Sequence, residues 1–141
     1  MNISQACVDL VKQFEGCKLD SYQDVVGVWT IGYGHIEGVT EGQTISQQEA
    51  DLMLMSDLHD KAEKVDRLVT AGVTQNQFDA LVSFAYNLGI GNLESSTLLK
   101  MINAGTADAA GDQFLRWDKA GGVEIAGLLR RRQAEMELYN S

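Results

Sequence analysis

One stretch limits the possible folds more than any other. Residues 45–69 read ISQQEADLMLMSDLHDKAEKVDRLV, with apolar side chains at Ala50, Met53, Leu54, Leu58, Ala62, Val65, Leu68 and Val69. That recurrence marks one face of a long α-helix. Ser46 with Glu49 three positions later is a capping box, which fixes where the helix begins, and Gly72 stops it. Met53 and Met55 read as core filling, not as an adaptable binding surface. Any fold of this chain has to be built along that helix.

The other segments are shorter. Ile3, Ala6, Cys7, Leu10, Val11 and Phe14 recur at helical spacing, so a helix is predicted over 4–14, with Ser4 as N-cap and Gly16 as its left-handed end. Thr74 with Gln77 is a second capping box. It opens QFDALVSFAYNLG, a helix apolar all round and therefore the centre of a helical bundle, ended by Gly89. Ser95 or Ser96 caps TLLKMINAG, and Thr106 caps ADAAGDQFLRW. AGGVEIAG reads as a loop or weak helix start, and LLRRRQAEMELY as the final helix. With 141 residues, no proline, no linker and no repeat, the chain is read as one domain of about six helices and one small sheet.

Composition closes off several functions. Hydrophobic residues make up 45% of the chain, which excludes disorder. No run approaches the roughly 20 apolar residues of a membrane helix, so no stable membrane insertion is expected. The opening MNISQACVDLVKQF has no basic region and interrupts its apolar positions with Asp9 and Lys12, so it is read as part of the mature fold and not as a signal peptide. A net charge of −9 argues against nucleic acid as a partner. Cys7 and Cys17 are too few for a disulfide framework and are read as reduced. His35 and His59 do not complete a ligand set with them, so neither a metal nor a cofactor is expected.

The chemistry concentrates in FEGCKLDSYQDVVGVWTIGYGH, residues 14–35. Glycoside cleavage needs a protonated carboxyl at the leaving oxygen and an ionised carboxylate on the other side of the ring. Glu15 stands beside apolar Phe14 at the C-terminal end of a helix, and both surroundings favour the protonated acid. Asp24 lies in a polar turn with Ser21 and Gln23, where a carboxylate stays charged. A hairpin after the helix can fold Asp24 back toward Glu15. In VWTIGYG the alternation turns Trp29, Ile31 and Tyr33 toward the core, and Val28, Thr30, Gly32 and Gly34 the other way. Thr30 could then orient a water, and bare Gly32 and Gly34 could admit a ligand closely; a bulged or edge strand would use the same glycines for geometry.

The frame Glu15-Gly16, Tyr22-Gln23-Asp24 and Gly27-Val-Trp-Thr30-Ile-Gly-Tyr-Gly-His35 resembles the signature of phage-type, T4 lysozyme-like lysozymes, glycoside hydrolase family 24. FAYNLGIGN, STLLKMINAG, FLRW and GLLRRRQAE continue the match in order over nearly the whole chain. The resemblance implies an α+β, mostly α-helical, two-lobed fold. Its sheet-bearing lobe would cover about 14–45, its connecting helix about 46–69 and its helical lobe about 70–141, with helix 4–14 packed on the last. It also implies an endolysin that hydrolyses the β-1,4 bond between N-acetylmuramic acid and N-acetylglucosamine of peptidoglycan, with inversion. Glu15 matches the general acid, Asp24 the carboxylate that activates water and Thr30 the threonine that helps hold it. Asn87 lines the cleft in such enzymes, and His35 and Asp57 match a structural ion pair. One of Arg130, Arg131 and Arg132 reaches back toward Glu15, Arg131 being the one taken forward.

The resemblance further implies a monomer held in the host cytoplasm until it reaches the wall, either through a holin or as a module of a larger particle. The acidic charge departs from the many basic members and leaves the protein repelled by an anionic wall at long range. Two rivals remain: a lytic transglycosylase, which needs no water-activating pair, and an inactive wall-binding relative, which would be expected to lack one of Glu15, Asp24 and Thr30.

Overall fold

A computed structural model describes residues 1–141. Its elements run α1 (Gln5–Glu15), β1 (Lys18–Gln23), β2 (Trp29–Gly32), α2 (Gln47–Leu68), α3 (Gln75–Leu88), α4 (Ile90–Ser95), α5 (Thr97–Met101), β3 (Lys119–Ala120), β4 (Val123–Glu124) and α6 (Ala126–Asn140). A π turn at Ile102–Thr106 and 3₁₀ turns at Ala107–Ala109 and Gly111–Arg116 connect α5 to β3.

Both capping boxes form. Glu49 N–H donates to Ser46 Oγ at 3.1 Å and Ser46 N–H donates to Glu49 Oε1 at 3.1 Å. Gln77 N–H donates to Thr74 Oγ1 at 3.1 Å and Thr74 N–H to Gln77 Oε1 at 2.9 Å. The apolar face of α2 buries Ala50, Leu54, Leu58, Ala62 and Val65. α3 touches α1, α2, α4 and α6, which is why its sequence is apolar on every side. Phe84 of α3 meets Phe114 and Trp117 edge-on, with ring centroids 5.7 and 5.4 Å apart.

α1 packs on α3 and α6. Ser4 flanks its start as predicted, but its side chain does not cap it. Instead the Ser4 N–H donates to Oδ1 of the buried Asp79 at 2.9 Å, and the Ser4 hydroxyl donates to Oδ2. The serine thus anchors α1 to α3. Gly16 ends the helix at φ 66°, ψ 173°, a conformation open essentially to glycine alone.

β1 and β2 form an antiparallel hairpin in which Tyr22 faces Thr30 and Gln23 faces Trp29, with a bulge between Lys18 and Tyr22. Asp20 also bridges to Thr44, which draws the following loop against the sheet. The strand is shorter than the sequence alternation implied. It stops at Gly32, where φ is 65°, and a tight turn lets Ile31 and His35 exchange two backbone hydrogen bonds at 2.9 Å each. The loop expected at 120–127 is mostly a second small hairpin, β3–β4, while the helix start offered there as the alternative is that of α6 at Ala126. Thr106 caps no helix: its hydroxyl donates to the Met101 carbonyl at 2.6 Å, and 3₁₀ turns follow. There the Ala107 carbonyl is taken by the Ala110 N–H and the Tyr139 hydroxyl, which leaves the chain in the tighter winding.

The result is a small sheet, a long helix running from it, and a helical lobe. No helix is long and apolar enough to cross a membrane.

Candidate active site

Glu15 is the last residue of α1, so the helix end itself aims its carboxyl into the space between sheet and helical lobe. Oε2 accepts a 2.6 Å charge-assisted hydrogen bond from Arg131 Nη1. Arg131 is 4% exposed and Glu15 is 20% exposed at the side chain, so this pair is poorly screened. Of the three consecutive arginines, Arg131 is therefore the one that reaches back. Arg132 turns elsewhere and donates to Asn87 Oδ1 at 2.8 Å. Arg130 points outward.

Asp24 occupies the β1–β2 turn. Its Oδ1 accepts from the Val26 and Val28 N–H groups at 2.9 Å each, and its own N–H donates to the Val28 carbonyl at 2.9 Å. The turn thereby fixes the carboxylate through one oxygen and leaves Oδ2 free for other partners. Thr30 is buried, and its hydroxyl donates to the Val28 carbonyl at 2.9 Å. With its hydrogen committed, Thr30 Oγ1 can only accept from a third group, such as a water.

These three residues line one cleft of about 450 Å³, together with Tyr22, Gly34, His35, Asp57, Tyr86 and Asn87. His35 Nδ1 lies 2.8 Å from Asp57 Oδ2 and Nε2 lies 2.9 Å from the Glu37 carbonyl. That pairing ties the loop after β2 to α2, and both side chains are partly buried. Gly34 belongs where the alternation put it, in the cleft. Gly32 does not: it is buried, and a β-carbon there would touch Ala50 and Ile45 at 3.6 Å. The correction follows from the early end of β2, which removes Gly32 from the ligand face and gives it to the packing of sheet on α2.

Sequence reasoning overlooked Tyr86 and undervalued Tyr22. Burial, then the charges of Glu15 and Asp24, push the Tyr22 phenol up from its ordinary value, as befits a side chain that shares the cleft with both acids. Burial, then Glu15 and Asp57, push Tyr86 up as well, and its hydroxyl donates to the Tyr33 carbonyl at 2.5 Å. No periodicity distinguishes a cleft tyrosine from a core one. The acids Glu37 and Asp60 and the single Lys61 also line the cleft and were not anticipated.

A small sheet, a long helix and a helical lobe around an acidic cleft define a lysozyme-like protein. Comparison with known proteins agrees. The profile described as "Phage lysozyme" matches residues 12–135. The chain is 47% identical over 142 residues to an endolysin of Bacillus phage B103, covering 99% of this chain and 54% of that protein. It is 37% identical over 145 residues to an endolysin of Acyrthosiphon pisum secondary endosymbiont phage 1, covering 100% and 99%. Among solved structures it is similar to the muramidase domain of SpmX from Asticaccaulis excentricus, with a TM-score of 0.93 and 39% identity over 99% of this chain and 98% of that one. This chain belongs to the phage lysozyme family. It spans about half the length of the B103 relative and nearly all of the endosymbiont phage one.

Proposed function

We propose that the chain is a T4-like, glycoside hydrolase family 24 muramidase that cleaves the β-1,4 bond between N-acetylmuramic acid and N-acetylglucosamine in peptidoglycan. The single observation that supports this reading most is that Glu15, Asp24 and Thr30 open onto one cleft of about 450 Å³, a size suited to a few sugar rings' worth of contact. Glu15 donates the proton to the leaving oxygen. Asp24 takes a proton from the attacking water through its free Oδ2, and Thr30 Oγ1 accepts a hydrogen bond from that water. Attack from the face opposite the leaving group inverts the anomeric carbon. Arg131 holds Glu15 in place, Asn87 and Gly34 contact the sugar, and His35 with Asp57 brace the cleft wall.

The working unit is a monomer whose sheet lobe (about 14–45) and helical lobe (about 70–141) are joined by the helix at about 46–69. It acts at the cell wall and resides in the host cytoplasm beforehand, with a holin opening the way. Glu15→Gln in a purified wall-clearing assay is expected to lose at least about 100-fold in rate, and Asp24→Asn to be similarly disabled. Folded variants that keep their activity would remove those roles. A new reducing end of α configuration is the expected product; a 1,6-anhydro end would make the protein a transglycosylase instead.

A further inference from the structure

Beneath the cleft, α3 and α6 enclose a charged cluster with no direct part in the chemistry. Glu135 is fully buried on α6. Its Oε2 accepts from the Ser83 hydroxyl at 2.5 Å, from Arg132 Nη2 at 3.2 Å and from Arg131 Nε at 3.4 Å. Its Oε1 lies 2.7 Å from Arg132 Nε but off the line a hydrogen bond needs, so that contact is a charge pair. The spacing is helical: Arg131 and Arg132 stand four and three residues before Glu135, on one face of α6.

Each arginine also reaches a residue that lines the cleft. Arg131 Nη1 meets Glu15 Oε2 at 2.6 Å, while its Nη2 donates to the Ser83 carbonyl at 3.3 Å. Arg132 Nη2 meets Asn87 Oδ1 at 2.8 Å, and its guanidinium lies over the Phe84 ring, 5.3 Å from the centroid. A long arginine has many rotamers. Here one carboxylate holds both forks, Arg131 through Nε and Arg132 through the same Nη2 that meets Asn87, and so limits the direction in which each guanidinium can lie. Burial pushes Glu135 up from its ordinary value and draws Arg132 down, against the attraction between them. Such a cluster is a costly way to fill a core, and an apolar set of equal volume would serve packing as well or better.

We propose that Glu135 is a positioning residue: by clamping Arg131 and Arg132 from a single buried point, it sets both Glu15 and Asn87 in the cleft. The turnover consequence rests on the muramidase reading above; the geometric coupling does not. A misplacement of about 1 Å in a reacting group can cost on the order of 100-fold in rate.

The test uses three full-length proteins: wild type, Glu135→Gln, and Glu135→Gln combined with Arg132→Met, which removes one buried cation along with the anion. Thermal melts, kcat and KM on purified muramic acid–glucosamine oligosaccharides, and NMR resonances of the Glu15 carboxyl and Asn87 amide are measured. In Glu135→Gln both resonances are expected to move and kcat to fall at least about 10-fold. The double variant is expected to regain melting temperature but not kcat. A residue that merely balances charge would give the opposite: kcat recovering with the melt, or unmoved Glu15 and Asn87 signals, and either result overturns the proposal. Should Glu135→Gln not fold, the Glu15 resonance of the double variant judges the clamp on Arg131, because Asn87 has there lost its own Arg132 partner. Should wild type release no sugar, the muramidase reading fails, and the two resonances still judge the clamp.

Discussion

A β-carbon on residue 34 would stand 3.2 Å from Oε1 of Glu15 and 3.7 Å from the Tyr86 hydroxyl. Gly34 also holds φ at 88°. A side chain at position 34 is therefore strained by the backbone conformation and would also press the Glu15 carboxyl aside by a few tenths of an ångström. Gly34→Ala is expected to lose about 1 kcal/mol or more of stability, and to lose at least about 10-fold in kcat because Glu15 is displaced. Melts beside steady-state rates separate the two effects. A destabilised variant with wild-type kcat would show that the glycine serves the turn alone.

The start of α2 offers a control remote from the chemistry. Ser46→Ala removes the side-chain acceptor of the Glu49 N–H and leaves that donor to water. The expected cost is about 1 kcal/mol, which lowers the melting temperature by roughly 3–4 °C in a chain of this size. Wall-clearing rate at 25 °C should be unchanged, because Ser46 lies outside the cleft. A melt unmoved by the substitution would mean that the helix start is held by the sheet and not by its cap.

What the sequence disclosed and what it hid divide along local and non-local lines. Ser46–Glu49 and Thr74–Gln77 were legible because a capping box is complete within four residues. Glu15 and Asp24 lie close enough in sequence, a helix end and a turn, for a hairpin to bring them together, but the family resemblance singled them out. The partner of Glu15 was not legible. Arg130, Arg131 and Arg132 are adjacent, and only the rotational phase of α6 selects among them. That phase cannot be read locally: the helix begins at Ala126, Ile125 before it provides no side-chain cap, and the Ile125 N–H donates to the Asp118 carbonyl at 2.8 Å. The β3–β4 hairpin precedes the helix, and that stretch was read as a loop or a weak helix start. Gly32 misled for a related reason. Alternation presumes an unbroken strand, and a positive φ at the very residue being assigned ends it.

Alkaline pH should find a weak point at Cys7. Its thiol is fully buried between α1 and the helical lobe, and burial foremost, with Asp79 and Glu135 adding, pushes it from 9.0 to about 12. The folded protein therefore keeps a proton that the unfolded chain releases near pH 9. The associated stability is intact below that pH and is lost as pH rises toward 12, by at most about 1.4 kcal/mol per pH unit. Urea titrations at pH 8 and 10.5 should show the stability gap between wild type and Cys7→Ala shrinking at the higher pH. The comparison within one pH removes the parallel effect of Tyr139, which burial also raises to about 12. A constant gap would mean that water reaches the thiol before global unfolding.

Salt tests how the proposed muramidase, acidic as it is, would meet an anionic wall. The chain carries a net charge of −9, and its cleft is lined by Glu15, Asp24, Glu37, Asp57 and Asp60 against Lys61 and His35. Attraction at long range cannot bring such a surface to a polymer of the same sign. On the proposed function, binding would have to come from contacts inside the cleft, which operate below the screening length of about 10 Å at 0.1 M salt. Clearing of purified walls should then stay level or rise between about 50 and 200 mM salt, as repulsion is screened while cleft contacts persist. A basic enzyme drawn in by counterion release would fall steeply over the same range. If this protein falls steeply too, some local cationic patch must be steering it, and exposed Arg130 beside the groove between α1 and α6 would be the first residue to replace.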